Sequence, residues 1–210
     1  MTDSLEARRR LAAATRLVME RMVATTAPAD MLDTAAERLE AFAETLAAYP
    51  YGRTYEGFGE TANAPRPGEF FDHSPLSGTA NPVAAPMHLE VVDERSVRGS
   101  VRFGGAYEGP PGSLHGGFVA AVHDEILGLA NSLNGNPAMT GTLTVVYRRP
   151  TPLHTDLRLE ATFDGADGRK QYCSSRLYAG DVLCNEAEGI FVTIDRQRFI
   201  DLVAERDARG

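Results

Sequence analysis

Apolar and polar positions divide the chain into three textures. From Met1 to Tyr49 apolar residues recur at helical spacing. Leu32, Ala35, Leu39, Phe42 and Leu46 are separated by 3, 4, 3 and 4 residues and so share one helix face. An earlier helix, about Leu5 to Ala24, carries Leu11, Ala14, Val18 and Met22 on a similar stripe. Ala27-Pro28-Ala29-Asp30 divides the two, because proline is tolerated in a first turn and not mid-helix. Two amphipathic helices enclose little core, so they are expected to dock on a partner domain or on a second subunit.

The period is lost between Pro50 and Pro86, which is rich in Gly, Pro, Asn and Ser. Its aromatics, Tyr51, Tyr55, Phe58, Phe70 and Phe71, are scattered. An unstructured stretch this long is unusual inside a compact domain. It reads as a connector lying over the domain surface with its aromatics as anchors.

From Met87 the pattern turns to strands. Met87–Val92 and Arg95–Phe103 are joined at Asp93-Glu94, and a glycine-rich approach, Gly104 to Gly117, leads into an apolar helix from Gly116 to about Leu133. Strands are then expected at Thr140–Tyr147, Asp156–Phe163, Gln171–Tyr178 and Val182–Ile194. Turn signals lie at Asn134 to Pro137, Asp164 to Arg169 and Gly180-Asp181. One long apolar helix followed by antiparallel strands is an α+β class, and a helix apolar nearly all round must be wrapped by other structure. The expected organisation is a helical extension (1–49), an irregular connector (50–86), one domain (87–196) and a tail (197–210).

Composition narrows the function. The chain has 210 residues and a net charge of -8 with no basic block, which disfavours nucleic acid and anionic membrane as partners. No apolar run is long enough to span a bilayer, and the charged segment Met1–Arg10 lacks the apolar core of a secretory signal, so a cytoplasmic protein is expected. Cys173 and Cys184 fit small apolar residues in strands; a cross-strand disulfide is the alternative. The scattered histidines and two cysteines lack zinc-ligand spacing, and neither a phosphate-binding glycine loop nor a G-x-S-x-G elbow occurs. No cofactor is expected.

The helix beginning at Gly116 carries the candidate chemistry. Gly116 and Gly117 are poor helix formers, each costing about 1 kcal/mol in an interior relative to Ala. They suit a place where something approaches the backbone closely. N–H groups there, backed by the positive end of the helix dipole, suit a carbonyl oxygen that gains negative charge. His123-Asp124-Glu125 interrupts the apolar run, and at about 100° per residue the three sweep about 200° of the helix. Asp124 shares its face with Ala120, Ala121, Leu127 and Gly128, leaving room for a ligand beside the carboxylate. Desolvation there is expected to raise a carboxyl pKa toward general-base work. Pairing of Asp124 with an arginine at an interface is the structural alternative. Glu125 reads as a solvated or paired group, His115 as a cap or a functional histidine, and His123 has no evident role.

His115-Gly116-Gly117 followed by an acid at Asp124 resembles the PaaI-type branch of the hotdog-fold thioesterases. Met139 to Leu153, with the R-P-x-P-L corner Arg149-Pro150-Thr151-Pro152-Leu153, is similar to the same superfamily, especially to the long-chain acyl-CoA thioesterases of animal mitochondria. Glu108-Gly109-Pro110-Pro111-Gly112 also fits. The likeness covers about Pro86 to Ile194. It implies a hotdog fold, a curled antiparallel sheet around a central helix, and hydrolysis of an acyl-CoA thioester. By the same resemblance Asp124 is the general base or nucleophile, Thr140 orients the water, and Gly116 N–H polarises the carbonyl beside His115. Gly117 and Ser113 line the substrate site, and relatives build that site across a two-fold axis, which implies a homodimer or a dimer of dimers. Some relatives carry an amide side chain before the histidine, and Gly109 to Ser113 holds none. The phosphates of coenzyme A call for cations; Arg148, Arg149, Arg169 and Lys170 are candidates, with ordinary surface charge as the alternative. A binding module without turnover, and a hydratase or dehydratase using an Asp-His pair, are the competing functions.

Overall fold

The computed structural model describes residues 4–49, 72, 74–195, 197, 201 and 205. Most of the expected connector, including its five aromatics, and most of the tail lie outside the described residues. Two helices, α1 (Ser4–Val23) and α2 (Ala29–Ala47), precede strands β1 (His88–Val91) and β2 (Ser96–Arg102). A helical turn, Gly105–Tyr107, leads to α3 (Gly116–Ser132), and β3 (Ala138–Tyr147), β4 (Asp156–Asp167), β5 (Lys170–Ala179) and β6 (Val182–Thr193) follow. The strands form one six-stranded sheet in the order β1-β2-β4-β5-β6-β3, every neighbouring pair antiparallel.

The sheet curls around α3. Val119, Val122, Ile126, Leu127, Leu129 and Ala130 are buried against Val97, Val101, Leu157, Leu159, Leu177 and Phe191. Alternation explains why: Leu157, Leu159 and Ala161 of β4 point inward while their neighbours face outward. This α+β architecture is the hotdog arrangement expected from the sequence. The Asp164–Arg169 turn is narrower than expected, since β4 runs to Asp167 and pairs with Lys170 across Gly168-Arg169. Gly168 adopts a φ of 58°, which glycine reaches without strain, and a bulge near Gly165 absorbs the added residue.

The N-terminal helices have different fates. α1 docks on its own domain, and it does so through polar groups. Glu20 accepts hydrogen bonds from the N–H groups of Gly105 (2.9 Å) and Ala106 (3.2 Å), which hold its carboxyl below the ordinary glutamate range. Arg16 donates to the carbonyls of Asn81 and Thr79, and Arg9 pairs with Asp72 at 2.6 Å. The expected stripe Leu11, Val18 and Met22 is exposed, and Ala12 is the buried residue of α1. No residue of α2 is buried. The described part of the connector does more than lie on the surface: Asp72, Ser74, Ser77, Ala84 and Ala85 are buried.

Candidate active site

The start of α3 is fixed from three sides. The R-P-x-P-L corner holds the preceding loop: Thr151 carbonyl accepts the Leu114 N–H at 2.8 Å, and Leu153 N–H donates to the Gly112 carbonyl at 3.1 Å. Tyr107 carbonyl accepts from His115 N–H at 3.0 Å, and the Tyr107 ring packs edge-on against Phe103 and Phe118. Tyr147, at the end of β3, donates its O–H to the Gly116 carbonyl at 2.9 Å.

His115 is a helix cap. Its Nδ1 accepts from the Gly117 N–H at 3.0 Å, and its carbonyl accepts from Phe118 and Val119. The Gly117 donor is thereby engaged. Among the described residues no hydrogen bond is made by the Gly116 N–H, which stands at the positive end of a 17-residue helix.

Asp124 lies eight residues further along α3 and is half-buried. Its Oδ1 accepts the Thr140 hydroxyl at 2.9 Å, so the structure brings together the acid and the hydroxyl singled out from the sequence. β3 thus touches α3 at two points, Thr140 at the acid and Tyr147 at the glycine turn. Gly116, Ala120, Ala121, Asp124 and Gly128 form a partly open face; Leu127, expected among them, is fully buried in the core. A position three residues on is turned by about 300°, far enough here to point under the sheet.

The neighbouring polar residues are spoken for. Glu125 is buried, and its Oε1 accepts from Ser74 at 2.5 Å and from Ser77. It is paired and not solvated. Burial raises its carboxyl above the ordinary glutamate range, with the two serine hydroxyls opposing that rise. Desolvation was expected at Asp124, whereas the carboxylate that this helix buries is Glu125. His123 faces the sheet and bonds Ser175 and Asn185. A polar residue inside an apolar helix was the available signal for this cluster, but its partners are 52 and 62 residues away.

Ser113 is buried beneath the corner, forming a bridge with Pro152, with its hydroxyl 3.5 Å from the Pro111 carbonyl. Arg148 and Arg149 are both exposed, and Arg148 is engaged by Glu186. Both line a surface hollow of about 510 Å³ with Asp181, Val182 and Leu183. Arg169 donates to the Thr193 carbonyl at the far hairpin. Cys173 and Cys184 are buried free thiols, not a disulfide. Among the described residues no cluster suited to a metal ion occurs, and no helix is long and apolar enough to cross a membrane.

The chain is similar to known proteins in sequence and in fold. No protein-family model matches the chain. It is 36% identical over 98 residues to acyl-coenzyme A thioesterase THEM4 of Bos taurus, covering 45% of this chain and 40% of that protein. The corresponding Mus musculus protein is 30% identical over 115 residues, covering 53% of this chain and 49% of the relative. The chain thus spans half or less of the length of these curated relatives. A crystal structure described as a thioesterase superfamily protein superposes with a TM-score of 0.78 at 33% identity, covering 88% of this chain and 94% of that one. With the likeness running nearly end to end in that case, and with the wrapped helix and its glycine turn in place, the chain belongs to the hotdog-fold thioesterase superfamily.

Proposed function

We propose that this protein hydrolyses acyl-CoA thioesters to a free acid and coenzyme A, with Asp124 as the base. The observation that carries this reading is the Asp124–Thr140 pair on the open face of the helix whose first N–H is unengaged. Thr140 donates its proton to Asp124, so its oxygen keeps lone pairs. A water between the two donates one hydrogen to Asp124 and the other to Thr140, which aims its own lone pair at the thioester carbon. As that oxygen bonds to carbon, Asp124 takes the proton and the carbonyl electrons move onto oxygen. The Gly116 N–H and the helix dipole meet the resulting oxyanion. Collapse expels the thiolate, which recovers the proton from Asp124. In the nucleophilic variant the carboxylate itself attacks, and water then opens the anhydride.

The spacing along α3 supports a site built from two copies. Gly116 and Asp124 are eight residues apart, about 12 Å along a straight helix. A carbonyl group spans far less, so one helix does not supply both functions to one thioester. Among the described residues β3 is a sheet edge paired with β6 alone, beside the open face of α3. A homodimer that joins these faces brings Gly116 of one subunit to Asp124 of the other; two such dimers pairing is compatible with the same site. Arg148 and Arg149, beyond the end of β3, are assigned to the coenzyme A phosphates, and Gly117 and Ser113 to the wall around the thioester. The two free thiols accord with a reducing compartment, in this reading the cytoplasm.

The absence of an amide side chain in Gly109–Ser113 favours a second reading, a module that binds acyl-CoA without turnover. Thiol release from acetyl- through palmitoyl-CoA and phenylacetyl-CoA, by wild type and Asp124→Asn, separates the two. Turnover that collapses in the variant supports the hydrolase. Binding without release by wild type supports the module and overturns the hydrolase.

A further inference from the structure

One polar side chain of α3 has no part in this chemistry. His123 is 0% exposed, yet both ring nitrogens are partnered. Nδ1 lies 2.7 Å from Ser175 Oγ on β5, and Nε2 lies 2.7 Å from Asn185 Oδ1 on β6. Asn185, equally buried, donates its amide to Thr151 Oγ1 at 2.7 Å. With that N–H committed, its Oδ1 meets the ring as an acceptor. The imidazole proton therefore sits on Nε2, and Nδ1 accepts from the Ser175 hydroxyl. Burial lowers the imidazole pKa from its ordinary value, in keeping with the neutral ring this pattern needs.

The network does not end at Thr151. The carbonyl of that residue accepts the Leu114 N–H at 2.8 Å, two residues before Gly116. A continuous set of bonds thus runs from the middle of α3, through β5 and β6, to the corner that holds the start of the same helix. An apolar side chain of similar size would fill the space, but it would not set a direction. Hydrogen bonds to both edges of the ring do, and Asp124 follows one helical step of about 100° later.

We propose that His123 is a positioning residue: through Ser175 and Asn185 it sets the roll of α3 that aims Asp124 at Thr140, and through Asn185 and Thr151 it ties that roll to the placement of Gly116. Its catalytic consequence rests on the hydrolase reading above.

The test uses the full chain. Thr151→Val exchanges one buried hydroxyl for a methyl and cuts the link to the corner. His123→Leu removes the network, and His123→Gln restores one donor and one acceptor. Amide hydrogen exchange over Leu114–Glu125 is expected to quicken about tenfold or more in Thr151→Val and His123→Leu, to recover toward wild type in His123→Gln, and to stay constant in α1. kcat is expected to fall about 10- to 100-fold in the first two variants, with KM within about threefold of wild type. In an Asp124→Asn background the same changes are expected to cost clearly less kcat than in wild type, because one of the two groups they act through is gone. If His123→Leu does not fold, Thr151→Val carries the same comparison. Equal kcat losses in both backgrounds, or unchanged exchange and kcat in Thr151→Val, would overturn the proposal. Should wild type hydrolyse no thioester while exchange responds as expected, the hydrolase reading falls and the mechanical link stands.

Discussion

The two sides of α3 carry carboxylates one residue apart that live in different media. Asp124 stands on the open side, half-buried, next to one threonine and the free edge of β3. Glu125 stands on the closed side, 7% exposed, beneath a segment that supplies two serine hydroxyls. A helical step of about 100° separates them, and it decides which one faces the opening. The difference teaches that a carboxylate on a wrapped helix is not catalytic merely because it is buried. The buried one here ties down the Ser74–Ser77 segment, and the accessible one has the partner that the proposed hydrolytic water would use.

Asp124→Asn should break the comparison most sharply. It keeps the shape and the Thr140 contact but loses the base, so turnover should fall about 10²-fold or more while the melting temperature stays near that of wild type. Next in size is Ile126→Ala, on the same helix but wholly in the core. It should cost about 2–5 kcal/mol of stability in a denaturant titration, showing that the wrapped side holds the fold.

Glu125→Ala should cost about 1–3 kcal/mol by the same measurement, because two buried hydroxyls lose their acceptor, and turnover per folded molecule should change little. Its pH signature sharpens the contrast. A carboxyl whose pKa is higher folded than unfolded holds its proton longer in the native state. Its favourable contribution is therefore complete below the ordinary glutamate range and is lost as pH rises through the raised native value. Glu125→Gln should flatten that slope in stability against pH. The smallest effect belongs to Leu39→Gln on α2, where nothing is buried; a shift within about 0.5 kcal/mol is expected.

The sheet was legible because its alternation is local: Leu157, Leu159 and Ala161 announce their own face. α3 was legible as a wrapped helix for the same reason, being apolar on most sides. Its detail was not. Leu127 was expected beside Asp124 and lies in the core, since a few tens of degrees decide which residues border an opening. The bonds of Glu125 to Ser74 and Ser77, and of His123 to Ser175 and Asn185, join residues far apart in sequence that no spacing rule connects. The stripe on α1 showed a helix but not its docking, which rests on Glu20, Arg16 and Arg9. Thr140 was picked out by resemblance, and its contact with Asp124 is a matter of tertiary geometry.

The central claim is that Gly116 of one subunit and Asp124 of another act on one thioester. Gly116→Pro deletes the N–H at a first helical position where proline is tolerated, and His115, at φ -60° and ψ 134°, already has the backbone that a following proline prefers. Co-expressing Asp124→Asn and Gly116→Pro chains with different tags, and purifying through both, yields mixed dimers. Thiol release by these dimers is the decisive reading. A site shared across the two-fold axis leaves one intact site per mixed dimer, so about half of wild-type turnover should return although each parent variant is nearly inactive. Mixed dimers as inactive as their parents would contradict the shared site.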